Sequence, residues 1–523
     1  MNTFALDLLD FTFLLPFFLP LENTEAFCRK LEKMSLSLRQ LKSLTIASFF
    51  SRLNAKSIRL ALIALHRRLP TLKELILPTP VLASIEFYDA HTDFEEDSKK
   101  KQQQLQGKSS SSTEVATTTT PDSQGSESEA FLSLMKLVTV INFQFYFSTL
   151  KPASFGYVAS LCPNVAFIEL SSCKIRHPIP YPANLISLKF VNCKFQVAAE
   201  VDVLDGRLSP NLEEFNVENC TGFRGAWLAS LVHCRQLAIV KLSRIALPNA
   251  FLENGTFPFL VSLAFGAEVT GNELKMGQFI RRHLSQLTTL EIGVPGPMLA
   301  KGISPEGTGP LSCSLDLLHL GCFPEKEDLP APGNQSLDDI LGLFQRVHKL
   351  HILNFEKIGP AVTSAPLFQT LEELALEYTA LEAAEISDII ARSPSLVNLQ
   401  IDYPDETTDR KLVIASKSLR KIDVPVETCS VVVLKDCPAL EELNIYDENG
   451  LVFRYIQAKA PLPALQKIDL SFIPFAREFW RNTLPSLVKY GPSIINIHLS
   501  RVPRELLSLL RRDRVAYLFF WNA

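Results

Sequence analysis

The stretch CPALEELNI, Cys437–Ile445, places Leu440, Leu443 and Ile445 in the order apolar-x-x-apolar-x-apolar. The same order recurs along the chain. SPNLEEFNV carries it at Leu212, Phe215 and Val217, and LSQLTTLEI at Leu287, Leu290 and Ile292. FQTLEELAL carries it at Leu371, Leu374 and Leu376, and SPSLVNLQI at Leu396, Leu399 and Ile401. SKSLRKIDV and LPALQKIDL repeat it from Leu419 and Leu465. Weaker copies begin at Val165, Leu185, Leu237, Leu260, Leu315, Leu350 and Ile494. Fourteen copies between Val165 and Ile494 give a mean period of about 25 residues, inside the leucine-rich window of roughly 20–29. Individual intervals run from 20 to 35 residues, so the units have drifted apart in length.

Each unit reads as one short strand followed by a return segment. Alternate strand side chains face opposite ways, so the last two apolar positions face a core and the residues around them face solvent. The return runs through a helix in segments such as EISDIIARS, Glu385–Ser393. One unit cannot bury its apolar face alone, so neighbours must stack. The expected fold is α/β: a leucine-rich repeat solenoid, or horseshoe, with parallel strands on the concave side and helices or loops on the convex side.

The cysteines fall in step with the repeat. Cys162, Cys234 and Cys437 each stand three residues before a first apolar position, and Cys173, Cys193 and Cys220 each stand eight after one. With the SPNL, SPSL and CPAL junctions, these places make the chain resemble the irregular, cysteine-containing leucine-rich repeats of F-box substrate receptors. That resemblance implies a protein-recognition surface and, as partner, the adaptor that joins F-boxes to cullin ligases. An F-box itself is not recognisable: LPLENTEAFCRKLEKM opens on leucine-proline, but the first tryptophan is Trp227.

Bulk composition is consistent with a solenoid core. The chain has 523 residues, 47% of them hydrophobic and 21% charged. A net charge of −4 is far from the basic balance of a general nucleic-acid binder. Ten cysteines contain no CxxC pair, which removes the zinc-ribbon and thioredoxin signatures. Reduced, buried structural thiols fit the six repeat positions, and imply the cytoplasm or nucleus.

Residues 1–92 read as N-terminal repeats and cap. The start, MNTFALDLLDFTFLLPFFLPLE, lacks a basic n-region, and Asp7 and Asp10 interrupt its apolar run. A targeting segment and a partner-binding element are the alternatives to a repeat there. Helices are expected over 24–40 and 57–69, with strands around Leu44 and Leu75. Leu82, Ile85 and Phe87 compete with Leu72, Leu75 and Leu77 for one place in the ladder. Residues 93–128, rich in Ser, Thr, Gln and Lys, cannot bury enough apolar surface to offset ordering, so a disordered insertion is expected. Repeats fill 129–500, with Val138 and Leu134 giving rival registers. Loop-like enlargements are expected between 293 and 336, in GVPGPMLAKGISPEGTGP and EKEDLPAPGNQS. Residues 501–523 read as a cap helix and an aromatic tail, Leu518–Trp521, that closes the open apolar end.

Chemistry-bearing motifs do not emerge. No GxxxxGK[ST], GxSxG, HExxH or EF-hand loop occurs. His348 and His351 have helical ligand spacing, but they flank Leu350 on an expected strand, so no metal is expected there; no cofactor and no membrane contact is expected either. The candidate binding residues are those that alternate with core positions in the C-terminal units: Glu373, Glu377, Asn398, Asp402, Asp423, Glu442, Asn444, Tyr446 and Asp469. The field is acidic or amide except for Lys421 and Lys467. It would steer in a basic segment of a protein partner, with Tyr446 as aromatic anchor. The expected function is a non-catalytic interaction scaffold, with substrate recognition for an F-box-type ubiquitin ligase as its sharper form. A leucine-rich repeat sensor, a stand-alone adaptor and a repeat-built GTPase regulator are the rivals.

Overall fold

A computed structural model describes residues 162–305 almost continuously, 311–321, much of 340–470, and shorter pieces elsewhere, chiefly 8–10, 43–45, 74–78, 138–144, 149–150, 496–499 and 517–520. The chain divides into two compact units, Met1–Ile239 and Val240–Ala523. Both are built from the same device, a ladder of short parallel strands with one strand per repeat.

In the first unit the ladder runs Leu8–Asp10, Ser43–Thr45, Glu74–Pro78, Val138–Gln144, Phe167–Ser171, Ser187–Val191 and Glu214–Glu218. Every pairing is parallel and every neighbour in space is the next repeat in sequence. Glu74–Pro78 pairs on both sides and so is a rung of the ladder; its rival, 82–87, lies outside the described residues. The Val138 register also holds, with Ile141 opposite Ile168 and Phe143 opposite Leu170. In the second unit the ladder runs from Ser262–Phe265 through Thr289–Ile292, Leu311–Gly321, Phe344–Leu353, Glu373–Glu377, Asn398–Asp402, Lys421–Pro425, Glu442–Tyr446, Lys467–Leu470 and Asn496–Leu499 to Tyr517–Phe520. The chain is thus an α/β leucine-rich repeat solenoid.

The apolar positions do what the pattern demands. Leu212, Leu260, Leu371, Leu396, Leu419, Leu440 and Leu465 are fully buried, as are the paired residues Phe215, Leu374, Leu443 and Ile468. The repeat cysteines are buried. Two of the thiols reach main-chain carbonyls of the preceding strand: Cys193 Sγ lies 3.0 Å from the Leu170 oxygen and Cys220 Sγ 3.4 Å from that of Phe190. Burial alone pushes the Cys162 thiol up to about 12 and that of Cys234 to about 11, so both remain protonated thiols. Just after the strand, the first-unit chain turns through a left-handed residue, Ser172, Asn192 or Asn219, with φ between 51 and 55°. Asparagine tolerates that conformation better than most residues, which explains its recurrence before Cys193 and Cys220.

Three features differ from expectation. First, Leu350 is not a first apolar position. Leu315 pairs with Val347 and Leu318 with Leu350, so the unit opens at Val347 and the longest interval shortens from 35 to 32 residues. Second, the glycine- and proline-rich stretch after Gly293 holds a helix, Pro297–Ile303, started by proline at its first turn. The enlargement at 325–336 lies outside the described residues. Third, part of the return side is a second parallel ladder, Lys411–Ala415, Val431–Asp436 and Tyr455–Ala458. The runs KLVIA and VVVLKD are rich in β-branched residues, which favour extended backbone over helix. Helices do occupy the return at α1 (Asn249–Asn254), α2 (Glu273–His283), α3 (the Pro297–Ile303 helix) and α4 (Ala383–Arg392).

Helices α2 and α3 touch main chain to main chain. A Cβ on Gly277 would stand 2.2 Å from the Leu299 carbonyl oxygen and 2.7 Å from Gly302 Cα. Beside them His283 is buried among Phe257 and Phe279. Its Nε2 accepts the Phe257 N–H at 3.1 Å, which leaves Nδ1 to donate to the Phe279 carbonyl at 2.9 Å. The side chain is therefore a neutral imidazole in one tautomer.

Tyr517–Phe520 adds a rung, parallel to Asn496–Leu499, with Leu518 opposite Ile497. The helices expected at 24–40, 57–69 and 501–516, and the insertion 93–128, lie outside the described residues.

Candidate functional site

The strand ladder of the second unit turns alternate side chains outward, and the register aligns them in columns. The first column is Lys349, Glu373, Asn398, Lys421, Glu442, Lys467. The second is His319, His351, Ala375, Gln400, Asp423, Asn444, Asp469. Glu377 and Asp402 pair in a third, as do Pro425 and Tyr446. Seven of the nine candidate residues therefore sit at outward positions of adjoining strands; Asp402 and Tyr446 fall on the same strands, and their side chains lie outside the described residues. Adjacent rungs stand about 4.8 Å apart, so each residue meets its column neighbours.

The first column is not a simple acidic field. Lys349 Nζ lies 3.1 Å from one oxygen of Glu373, and His351 Nε2 lies 3.3 Å from the other. Burial pushes the Glu373 carboxyl up, but hydrogen bonds from Lys349 and His351, and the charges there, hold it below its ordinary range. Glu442 is held down in the same way, burial being outweighed by Lys467, Asn444 and Lys421. Lys467 Nζ donates to Glu442 directly. Glu377 takes a bond from Gln400 Nε2 at 3.4 Å. Two of the carboxylates predicted to attract a partner, Glu373 and Glu442, are already engaged by cations from neighbouring repeats.

Asp423 behaves oppositely. Burial raises its pKa, Lys421 and an Asn444 hydrogen bond work against that, and Glu442 and Asp469 add to it. Lys421 Nζ stands off at 4.0 Å. The Asn444 Oδ1 beside it is buried with no hydrogen-bond partner. Between Asp423 and Asp469 the second column thus holds a carboxyl whose pKa is raised and an acceptor that is unmet.

Lys349 and His351 escaped the sequence reading for one reason, whereas His319 already falls outward when counted from Leu315. With Leu350 taken as the first apolar position, Lys349 and His351 fall outside the outward set; with Val347 first, they land in it. His348 and His351 face different carboxylates, Glu372 at 3.3 Å and Glu373 at 3.3 Å. His319 Nε2 is buried without a partner, and burial, then the nearby His351, hold its pKa down at about 4. Among the described residues no group of three or more His, Cys, Asp or Glu is placed to hold a metal ion, and no helix is long and apolar enough to cross a membrane.

A family profile described as FBD-associated F-box protein At5g56370, LRR repeats, matches residues 316–465. That span begins in the strand that carries His319 and ends at Leu465, just before Lys467. It contains most of the column residues above. Matched repeats, parallel ladder and outward columns agree: this chain is built of leucine-rich repeats, and those at 316–465 are similar to the repeats of an FBD-associated F-box protein.

Proposed function

We propose that the chain is a non-catalytic scaffold that recognises substrates for an F-box-type ubiquitin ligase, acting in the cytoplasm or nucleus. The observation that carries this reading is the match to F-box-associated repeats over the segment whose strands carry the outward columns. Repeats of this type put side chains from many strands on one surface, which suits recognition of another protein more than chemistry on a small molecule. The partner segment is basic. A lysine or arginine laid along the second column would meet Asp423 and Asp469, relieve their mutual repulsion and give Asn444 Oδ1 its donor.

Two experiments test the two halves. The purified full chain is mixed with the purified adaptor that joins F-boxes to cullin ligases and run by size exclusion. Co-elution is expected; separate elution sinks the ligase role and leaves a stand-alone adaptor. Affinity purification from native cells, read by mass spectrometry, then supplies substrates, and Asp423→Asn with Asp469→Asn should weaken their capture. Undiminished capture by that double variant removes the second column from the recognition surface.

A further inference from the structure

The first unit has its own outward face, and its chemistry differs. Asn216 lies between Phe215 and Val217, both fully buried in the core, so its side chain points to the opposite face. Yet Asn216 is only 7% exposed, and its Oδ1 is buried without a hydrogen-bond partner. Its neighbours on that face are Glu169 and Lys189 in the same column, and Phe167, Ser187 and Glu214 in the column beside it. Ser187 and Ser171 are also nine-tenths buried. The surface is small, closely packed and, apart from Phe167 at 41% exposure, nearly flat in composition.

The charges of Glu214 and Lys189 are already matched. Glu214 receives Lys189 Nζ on one oxygen at 2.7 Å and Ser187 Oγ on the other at 2.7 Å. Glu169 accepts from Ser171 Oγ at 2.9 Å. What remains unmet is the neutral acceptor of Asn216. A buried acceptor without a donor costs about 1–3 kcal/mol, so the chain alone gains nothing from an asparagine here.

We propose that this face receives an extended, uncharged segment of a partner polypeptide, whose backbone N–H donates to Asn216 Oδ1 while an apolar side chain covers Phe167. A neutral donor fits because the unmet group, the Asn216 carbonyl oxygen, is itself neutral and buried, where a charge would cost more to desolvate, and a carboxamide is the side chain that most resembles a peptide group in what it offers. Phe167 and Asn216 lie on strands two rungs apart, about 10 Å at 4.8 Å per rung. Three residues of extended chain span that distance at about 3.3 Å each, so one segment crossing the rungs reaches both. The same Glu-apolar-Asn-apolar order recurs at Glu442–Ile445, where Asn444 Oδ1 is likewise unmet, but there Asp423 and Asp469 stand beside it and call for a cation. The two surfaces therefore select different segments, and this one stands independently of the ligase reading.

The test selects phage-displayed random peptides of roughly twelve residues, ~40 Å when extended, on the full chain. Synthetic copies of the selected peptides are then titrated calorimetrically. Asn216→Leu should weaken binding about tenfold, the equivalent of one hydrogen bond near 1.4 kcal/mol, while its melting temperature stays level or rises. Methylation of one backbone nitrogen in the peptide should produce the same loss. Phe167→Ala, an exposed change that leaves folding intact, should weaken binding as well, and Asn444→Leu should not. The proposal fails if no peptide binds more tightly than ~1 mM. It also fails if binding ignores both Asn216→Leu and Phe167→Ala, or if the selected peptides depend on lysine or arginine.

Discussion

Replacing Gly277 by alanine should destabilise the second unit, although alanine is the better helix former. A methyl group at this position meets the Leu299 carbonyl oxygen at 2.2 Å, Gly302 Cα at 2.7 Å and the Ile303 nitrogen at 2.8 Å. Ordinary contact needs about 3.5 Å between such atoms, so α2 and α3 must part by about 1 Å. All three obstacles are main chain, and none can swing away as a side chain could. Overpacking of this kind costs ~1–3 kcal/mol, and main chain against main chain belongs at the upper end. Removal of a helix glycine returns about 1 kcal/mol, leaving a net loss of about 2 kcal/mol. Gly302→Ala meets the Leu274 oxygen at 2.3 Å and Gly277 Cα at 2.8 Å, so it should cost the same. Gly296→Ala is the control: its nearest obstacle is Glu273 Oε2 at 2.6 Å, the end of a flexible side chain, and the loss should stay below ~1 kcal/mol. The assay is urea unfolding of the full chain followed by circular dichroism, read as the change in midpoint at constant slope. A Gly277→Ala protein as stable as wild type, or more stable by the helix-propensity gain, would falsify the close crossing of α2 and α3.

Lowering the pH from 7 towards 4 should reduce stability through two buried imidazoles. Burial holds the His283 pKa below its ordinary value, and that of His319 down at about 4. Each therefore contributes stability that is present above the unfolded pKa near 6.5 and is lost as pH falls towards the folded one, between 6.5 and about 4 for His319. A melting-temperature series over that range checks this, and a His283→Gln, His319→Gln double variant should flatten it. Asp423 runs the other way, because its raised pKa makes ionisation costly in the folded chain. Asp423→Asn should thus leave stability at neutral pH unchanged or raise it by a few tenths of a kcal/mol after solvent screening, measured by the same denaturation; a clear loss would contradict the burial argument. Leu443→Ala, at a fully buried rung of the ladder, should cost about 2–5 kcal/mol in urea unfolding. Breaking the half-exposed Lys467–Glu442 pair by Lys467→Met should cost less than ~1 kcal/mol on the same scale.

The repeat was legible because it is a local signal. Apolar-x-x-apolar-x-apolar fixes which side chains face the core, and alternation then assigns Glu373, Asn398, Asp423, Glu442, Asn444 and Asp469 to the outer face without knowledge of any neighbour. The period shows that the strands must stack, since no unit buries its own face, and the cysteine places mark the same turn in each repeat. All of this resides in sequence alone. Pairing does not. Whether Val347 or Leu350 opens its unit depends on which residue of Leu311–Gly321 lies opposite, and either pattern reads as apolar. Only the register reveals Lys349 and His351 beside Glu373, and so shows that this carboxylate is already engaged. The Pro297–Ile303 helix and its glycine contact were likewise hidden: glycine and proline signal loops when read locally, whereas here proline starts the helix and glycine lets another helix approach. Asn216 marks the limit most clearly. Sequence places it outward, but only tertiary packing decides that an outward amide is buried with its acceptor unmet, because burial is a property of neighbours several tens of residues away.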